Sequence, residues 1–377
     1  MRVFFYALFV HLSLNVLVFW EGWKTLEQRR GFRAVFTSLF IVEFLLYLTG
    51  LLFSPWLPDN VIQVIGFIGT SWMLFIIYMT AGVVLVEALF YVHQRKPFLP
   101  ALADKRHNKL KGLALIVFSL VVVAVMWQGN HQFNHPVVVH KEIVIPKTAG
   151  RLKSLRIAVI GDTHLGFLIN KDYAKKYLRL VMAQKADIIL FVGDIIDAGI
   201  KPMLNENMGE ELRQLHAPLG VYSCTGNHEY RNESEEKIKW LNDNGIVMLR
   251  DSAVLIDSAF YVLGREDVDA PFVRKPILEI LDRQQVNRQK PIIVLNHNPK
   301  HLNEDVNAEA DLALYGHTHH GQFFPGNIYT NLIFEIAHGY KKKGSTHIYV
   351  TSGLGLAGAQ YRIATQSEIA VFEVKFM

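Results

Sequence analysis

An α/β domain over residues 131–377, preceded by four transmembrane helices over 1–130, is the architecture expected of this 377-residue chain. Three observations carry it. Long apolar runs fill the chain up to Trp127 and then cease; short β-rich runs with polar tails begin near Arg156; and five of those tails carry Asp, Asn or His. A hydrophobic fraction of 51% is high for a soluble enzyme, and it is explained if the N-terminal third is solvated by lipid.

Four stretches approach the roughly 20 apolar residues needed to cross a bilayer: Val3 to Trp20, Ala34 to Phe53, Val61 to Val92 and Leu113 to Trp127. The third exceeds the bilayer and is expected to tilt, or to continue past the headgroups to the Arg95-Lys96-Pro97 break. The fourth is short and relies on Gly112 and Gln128 at the interface. The first is expected to be retained, because no small-residue cleavage site follows it and, apart from Arg2, its basic residues come after the apolar run.

The net charge of +5 belongs largely to two loops. Lys24, Arg29, Arg30 and Arg33 lie in one, and Arg95, Lys96, Lys105, Arg106, Lys109 and Lys111 in the other, whereas Ser54 to Asn60 has no Lys or Arg. Basic loops favour the cytoplasm, so this pattern suits topology determination better than nucleic-acid binding. With four spans, it places everything after Trp127 outside a bacterial inner membrane. Within the spans, His11 and Glu43 sit at similar depth and are able to pair. A register-fixing polar pair and a proton or substrate path are both open readings. Glu87 lies nearer a helix end and is expected to reach towards water. Cys224 is the only cysteine, which excludes an intrachain disulfide.

From Arg156 the runs RIAVIGDTH, ADIILFVGDIID, GVYSCTGNHE, PIIVLNHNP and ADLALYGHTHH predict buried strands with loops at their ends. Lys171 to Gln184 and Ser234 to Asn244 between them show helical spacing. Such alternation places a site along the carboxyl edge of a sheet. Asp162 and His164 follow the first strand; Asp194 and Asp197 the second; Asn227, His228 and Glu229 the third; Asn296 and His297 the fourth; His317, His319 and His320 the fifth. One such His means little, but five successive strand ends offering carboxylate, amide and imidazole donors indicate a cation site. Imidazole and carboxylate donors suit Mn, Fe or Zn.

Taken together, Asp162-x-His164, Gly193-Asp194-x-x-Asp197, Gly226-Asn227-His228-Glu229, Asn296-His297 and Gly316-His317-x-His319 resemble the calcineurin-like metallophosphoesterases over roughly residues 137 to 376. The resemblance implies a four-layer αββα sandwich and a metal-dependent phosphoric ester hydrolase with two divalent ions. By motif position, Asp162, His164, Asp194 and His319 would hold one ion. Asp194, Asn227, His297 and His317 would hold the other, with Asp194 bridging and His228 serving the leaving group. Glu229 and Asp197 are candidates for orienting their neighbours.

GDTHLG, GHTHHGQ and Ser352-Gly353-Leu354-Gly355 look like a bacterial membrane-associated phosphodiesterase branch similar to UDP-diacylglucosamine pyrophosphohydrolases. His320 stands where that branch carries Gly, and either touches substrate or fills space. Asn296 before His297 reads as a strand-end turn former. The segment QFFPGNIYTNLIFEIAHGY either meets the lipid interface, lines an acyl groove or packs in the core, with Ile333 to Ile336 the better core candidates than Phe323-Phe324. Lys341, Lys342 and Lys343 either hold anionic headgroups or form a solvated loop. The expected partners are therefore the bilayer and a phosphorylated lipid or lipid-linked substrate at the outer face, with no nucleic acid. Two alternatives remain open: a UDP-diacylglucosamine pyrophosphatase-like enzyme at the cytoplasmic face, and a catalytically silent membrane sensor.

Overall fold

The computed structural model describes residues 2–26, 30–96 and 107–377. Arg29, Lys105 and Arg106, counted above among the basic loop residues, lie outside that set. Two compact units result, one of residues 1–129 with 358–360 and the other of 130–357 with 361–377.

In the first unit, apolar sequence folds into α1 (Arg2–Thr25), α2 (Arg30–Phe53) and α3 (Asp59–Arg95), followed by α4 (His107–Asn134), which continues past its end. Among the described residues, three helices are long and apolar enough to cross a membrane: Arg30–Trp56, Asp59–Arg95 and Asn108–Asn134. The fourth apolar stretch lies within a longer helix, since α4 runs for 28 residues. α1, which carries the polar His11, Asn15 and Glu21, is not one of these three. Those polar groups have partners: His11 Nε2 lies 3.2 Å from Glu43 Oε2, and the His11 ring stacks on Tyr47 at 3.8 Å. Asn15 Oδ1 accepts from Trp72 Nε1 at 2.8 Å. Glu87 does not meet water alone, because Lys111 Nζ donates to both its oxygens at 2.6 and 2.7 Å.

The second unit is built on two six-stranded sheets. Its strands are β1 (Val137–Ile145), β2 (Ser154–Ile160), β3 (Ile188–Phe191), β4 (Val221–Ser223), β5 (Val247–Met248), β6 (Ser252–Ile256), β7 (Phe260–Gly264), β8 (Ile292–Leu295), β9 (Leu312–Tyr315), β10 (Gly339–Lys343), β11 (Thr346–Val350) and β12 (Glu368–Phe376). One sheet has the order β1-β12-β2-β3-β4-β5 and the other β10-β11-β9-β8-β7-β6. Pairing is parallel at the centre of each, with Ile157 opposite Ile188 and Ile293 opposite Leu312. The helices of this unit are α5 (Lys171–Met182), α6 (Lys201–Asn205), α7 (Gly209–Leu212), α8 (Ser234–Asp243), α9 (Ile277–Arg283), α10 (Leu302–Asn307) and α11 (Gly326–Ile333).

Layering follows from the two-residue side-chain period of a strand. Ile157, Val159, Ile188 and Leu190 of the first sheet share a core with Ile293, Leu295, Leu312 and Leu314 of the second. The alternate residues Ala158, Ile160, Ile189 and Phe191 pack instead against Tyr177, Leu178 and Leu241 of α5 and α8. Ile292, Val294, Ala313 and Tyr315 likewise pack against Ile277, Ile280 and Leu302 of α9 and α10. The result is helix, sheet, sheet, helix. Consequently the five motif strands do not share one sheet: β2, β3 and β4 belong to the first, β8 and β9 to the second. The expected site on one sheet edge becomes a site where two sheet edges meet.

Candidate metal centre

Each site residue begins at the end of a buried strand, where the ladder stops and the backbone turns. Asp162, His164, Asp194, His317 and His319 all adopt positive φ, from 47° to 71°. That conformation costs a non-glycine residue about 1–3 kcal/mol and persists only where the surroundings enforce it. The enforcement is visible. Asp162 N donates to Gly193 O, and His164 N to Asp194 O, tying the two loops together. Glu229, fully buried, accepts backbone N–H bonds from Asp194, Ile195, Ile196 and Gly226 at 2.7–3.2 Å.

Asp194 sits in the middle. Its Oδ2 lies 3.2 Å from His297 Nε2, 3.8 Å from His164 Nε2 and 3.9 Å from His228 Nε2, while its Oδ1 accepts from His228 N at 2.8 Å. On one side, His164 Nε2 and His319 Nε2 approach to 3.1 Å, with Asp162 Oδ1 3.5 Å from His319 Nε2. On the other, Asn227 Oδ1 lies 3.0 Å from His317 Nδ1 and 3.3 Å from His297 Nε2. His297 Nδ1–H donates to Val192 O at 2.7 Å, so Nε2 is the ring nitrogen that faces Asp194. Three groups have ligand atoms all within 4.8 Å of one another: Asp162–His164–His319, His164–Asp194–His228 and Asp162–Asp194–His297. All seven expected ligands, Asn227 and His317 included, are thus brought together, with His228 beside them.

The donor set fits divalent cations. Two buried carboxylates surrounded by converging imidazole nitrogens need positive charge at their centre. Burial, and then the charge of His297, lowers His317 to about 3. Burial and His164 lower His319 well below the usual imidazole range. Both rings are therefore neutral at pH 7, the form that ligates a metal. Burial raises the Asp194 carboxyl, but His297, His164 and His228 outweigh it and hold the group ionised.

His228 is oriented by Asp197, whose backbone O lies 2.7 Å and Oδ1 2.9 Å from His228 Nδ1. Nδ1 therefore carries hydrogen towards Asp197, and Nε2 faces the cluster. The same Asp197 Oδ1 lies 3.3 Å from His164 Nδ1. Space is tight: a Cβ on Gly226 would lie 2.1 Å from Asp194 Oδ1, so this position admits glycine alone.

Two further residues of the motifs, Asn296 and His320, lie outside the expected ligand set. Asn296 is more than a turn former, since its side chain donates to Asp305 at 2.9 Å and accepts from Arg274 at 3.1 Å. Among the described residues His320 joins no metal-capable group; its ring stacks on His338 at 4.6 Å. Arg362 was not foreseen. Fully buried, it donates to the carbonyls of His319, Gly353 and Gly355, joining the last histidine loop to the Ser352–Gly355 turn. Only the glycine-rich run before it hints at such a role, because an arginine carries no local signature of burial.

A buried Asp, Asn and His cluster where the ends of two stacked sheets meet defines a metal-dependent hydrolase. A match to the calcineurin-like phosphoesterase family spans residues 155–321, which contain Asp162 and His319 near its two ends. The chain belongs to the metallophosphoesterase family, whose members hydrolyse phosphate esters with two divalent metal ions. It is 30% identical over 290 residues to an uncharacterized metallophosphoesterase of Helicobacter pylori, covering 74% of each chain. Similarity to an uncharacterized metallophosphoesterase of Campylobacter jejuni is 26% over 381 residues, covering 98% of this chain and 97% of that one. A Danio rerio protein named as a transmembrane protein with metallophosphoesterase domain is 29% identical over 276 residues, covering 70% of this chain and 62% of its own length.

Proposed function

We propose that the chain is a membrane-anchored, two-metal phosphodiesterase or pyrophosphatase acting on a lipid-linked phosphate at the outer face of a bacterial inner membrane. The convergence of carboxylate, amide and imidazole donors on Asp194 carries the reading. Asp162, His164, Asp194 and His319 would hold one ion, and Asp194, Asn227, His297 and His317 the other. Bound there, such a pair supplies an activated hydroxide and neutralises phosphoryl charge. The chain's own residues do the rest. Asp194 sets the spacing, Glu229 fixes its loop, and His228 holds a proton on Nε2, aimed by Asp197, for the leaving oxygen.

The anchor is residues 1–130 and the catalytic domain 131–377. α1 completes a set of four spans, because its polar His11 and Asn15 are satisfied by Glu43 and Trp72 and need not meet lipid. Lys24 and Arg33, and Arg95 and Lys109, then mark cytoplasmic ends. The Danio rerio relative's name is in keeping with an anchored domain.

Purified protein with Mn2+ is expected to hydrolyse bis-p-nitrophenyl phosphate, and Asp194→Ala to reduce the rate to background while remaining folded. Wild-type protein without turnover under any divalent metal would overturn the reading. A phosphatase-fusion map tests sidedness; a cytoplasmic C-terminus would restore UDP-diacylglucosamine as the candidate substrate.

A further inference from the structure

The segment after the last histidines carries an exposed apolar surface. Ile328, Tyr329, Leu332 and Ile333 of α11 are 50%, 66%, 81% and 53% exposed, and Phe324 beside them 49%. Their spacing, with neighbours four residues apart, puts them on one helix face, while Thr330 is buried on another. Ile333 is thus on the surface and only Ile336 of that stretch is core, contrary to the sequence expectation. A cavity of about 380 Å³ adjoins the same helix. Its lining combines Ile333 and Phe334 with Lys300, the acidic Asp269 and Glu335, and the metal-ligand candidate His317. Phe334 meets the His317 ring edge-on at 6.1 Å.

Resting on the phosphodiesterase reading above, we propose that α11 and Phe324 dock in the lipid interface and receive the acyl part of an amphiphilic phosphodiester. Its polar head then enters the cavity beside His317. Three observations select a bilayer as the occupant. The same chain carries three helices long and apolar enough to cross one, and only two residues separate the end of α4 at Asn134 from β1. Exposed Lys342 follows α11 on β10, where anionic headgroups would meet it, while Lys341 and Lys343 pair with Glu335 and offset its charge. Finally, the face mixes aliphatic residues with Tyr329, whose ring suits the boundary between chains and headgroups.

The test uses full-length protein, one chain per nanodisc of phosphatidylglycerol and phosphatidylcholine, and two chromogenic diesters. Bis-p-nitrophenyl phosphate is water-soluble; p-nitrophenyl hexadecyl phosphate partitions into the disc, and water cleaves it to p-nitrophenol and hexadecyl phosphate. The double variant Ile328→Asp/Leu332→Asp alters exposed positions only. It is expected to keep the soluble rate and lose at least tenfold in kcat/KM on the hexadecyl diester. Equal kcat/KM of variant and wild type on the hexadecyl diester would overturn the docking, whereas a wild type inactive on both diesters would instead overturn the phosphodiesterase reading.

Depth gives an independent readout. Cys224 is fully buried, so a fluorophore on Leu332→Cys reports one site. Quenching by nitroxide lipids, absent at the 95% exposed control position Val273→Cys, is expected. No quenching at 332 would refute the bilayer as occupant, as would shielding that appears only with two chains per disc, which would assign the face to a second copy.

Discussion

Replacing Glu229 with Gln keeps the shape of the side chain and removes half of its hydrogen-bonding capacity. In the folded protein, Glu229 Oε2 accepts from Asp194 N at 2.8 Å and Gly226 N at 2.7 Å, and Oε1 from Ile195 N at 2.8 Å and Ile196 N at 3.2 Å. An amide has one acceptor oxygen, so its NH2 must oppose one of these two pairs of N–H donors whichever way it turns. Hydrogen bonds to a charged group contribute about 1.5–3 kcal/mol each, and losing two therefore costs about 3–6 kcal/mol. That is a large share of the roughly 5–15 kcal/mol stability of a domain.

Two outlets exist for this cost. Either the fold bears it, or the Asp194 loop moves away and the metal site opens. Thermal melts followed by fluorescence, with bound metal measured by mass spectrometry on the same samples, separate them. At about 2–4 °C per kcal/mol, the first outlet predicts a fall of at least about 6 °C, and the second a loss of bound metal with a smaller fall. A variant that melts within about 2 °C of wild type and retains both ions would refute Glu229 as the residue holding this loop.

Other substitutions probe the same neighbourhood. Gly226→Ala places a methyl 2.1 Å from Asp194 Oδ1 and 2.5 Å from Asp194 N; hydrolysis of bis-p-nitrophenyl phosphate and metal content should both collapse, and normal values would show that the loop yields. Glu368 is buried, yet His338, Ser352 N and Tyr349 outweigh that burial and hold its carboxyl below the usual range. Because the folded pKa lies below the unfolded one, its stabilisation is present above about pH 4.3 and disappears as pH falls through the folded value. Glu368→Gln should therefore flatten the acid limb of a melting-temperature profile between pH 3 and 6; an unchanged acid limb would mean that Glu368 contributes none of it.

The strands that carry ligands were legible because a buried parallel strand is a short apolar run and its loop begins where polar residues begin. RIAVIG, DIILF, PIIVL and DLALY become β2, β3, β8 and β9, and Lys171 to Gln184 becomes α5 with its end two residues earlier. What local pattern cannot encode is which sheet a strand joins. β12 pairs with β1 in parallel and with β2 antiparallel, Val371 opposing both His140 and Ala158, across more than two hundred residues of chain. The ligands could thus be named without knowing that His297, His317 and His319 reach the site from a different sheet. The same distance hid Arg362, whose partners Gly353 and Gly355 are near in sequence but whose third partner, His319, is not. His11 and Glu43 were legible as a pair because similar position in two successive apolar runs is itself a sequence property.

The candidate metal centre is held in strain by Glu229 and Arg362, which bind backbone groups around it. Asp162, His164, Asp194, His317 and His319 take left-handed backbone angles that each cost about 1–3 kcal/mol. Glu229 offsets this from the side of the first sheet by collecting four N–H groups, and Arg362 from the other side by binding three carbonyls. The two act on opposite backbone polarities, so each can fix a loop that the other cannot. A left-handed turn at the ends of β2, β3 and β9 swings the side chain out of the sheet's alternation, which helps candidate ligands from two sheets to meet around Asp194. The glycine at 226 and the crowding at 316, where a Cβ would lie 2.5 Å from Asp162 Oδ2, show the same requirement from the side of space. Rigidity around Asp194 thus follows from the geometry of ligand delivery, while the apolar face of α11 lies outside this braced region and is free to meet what the substrate brings.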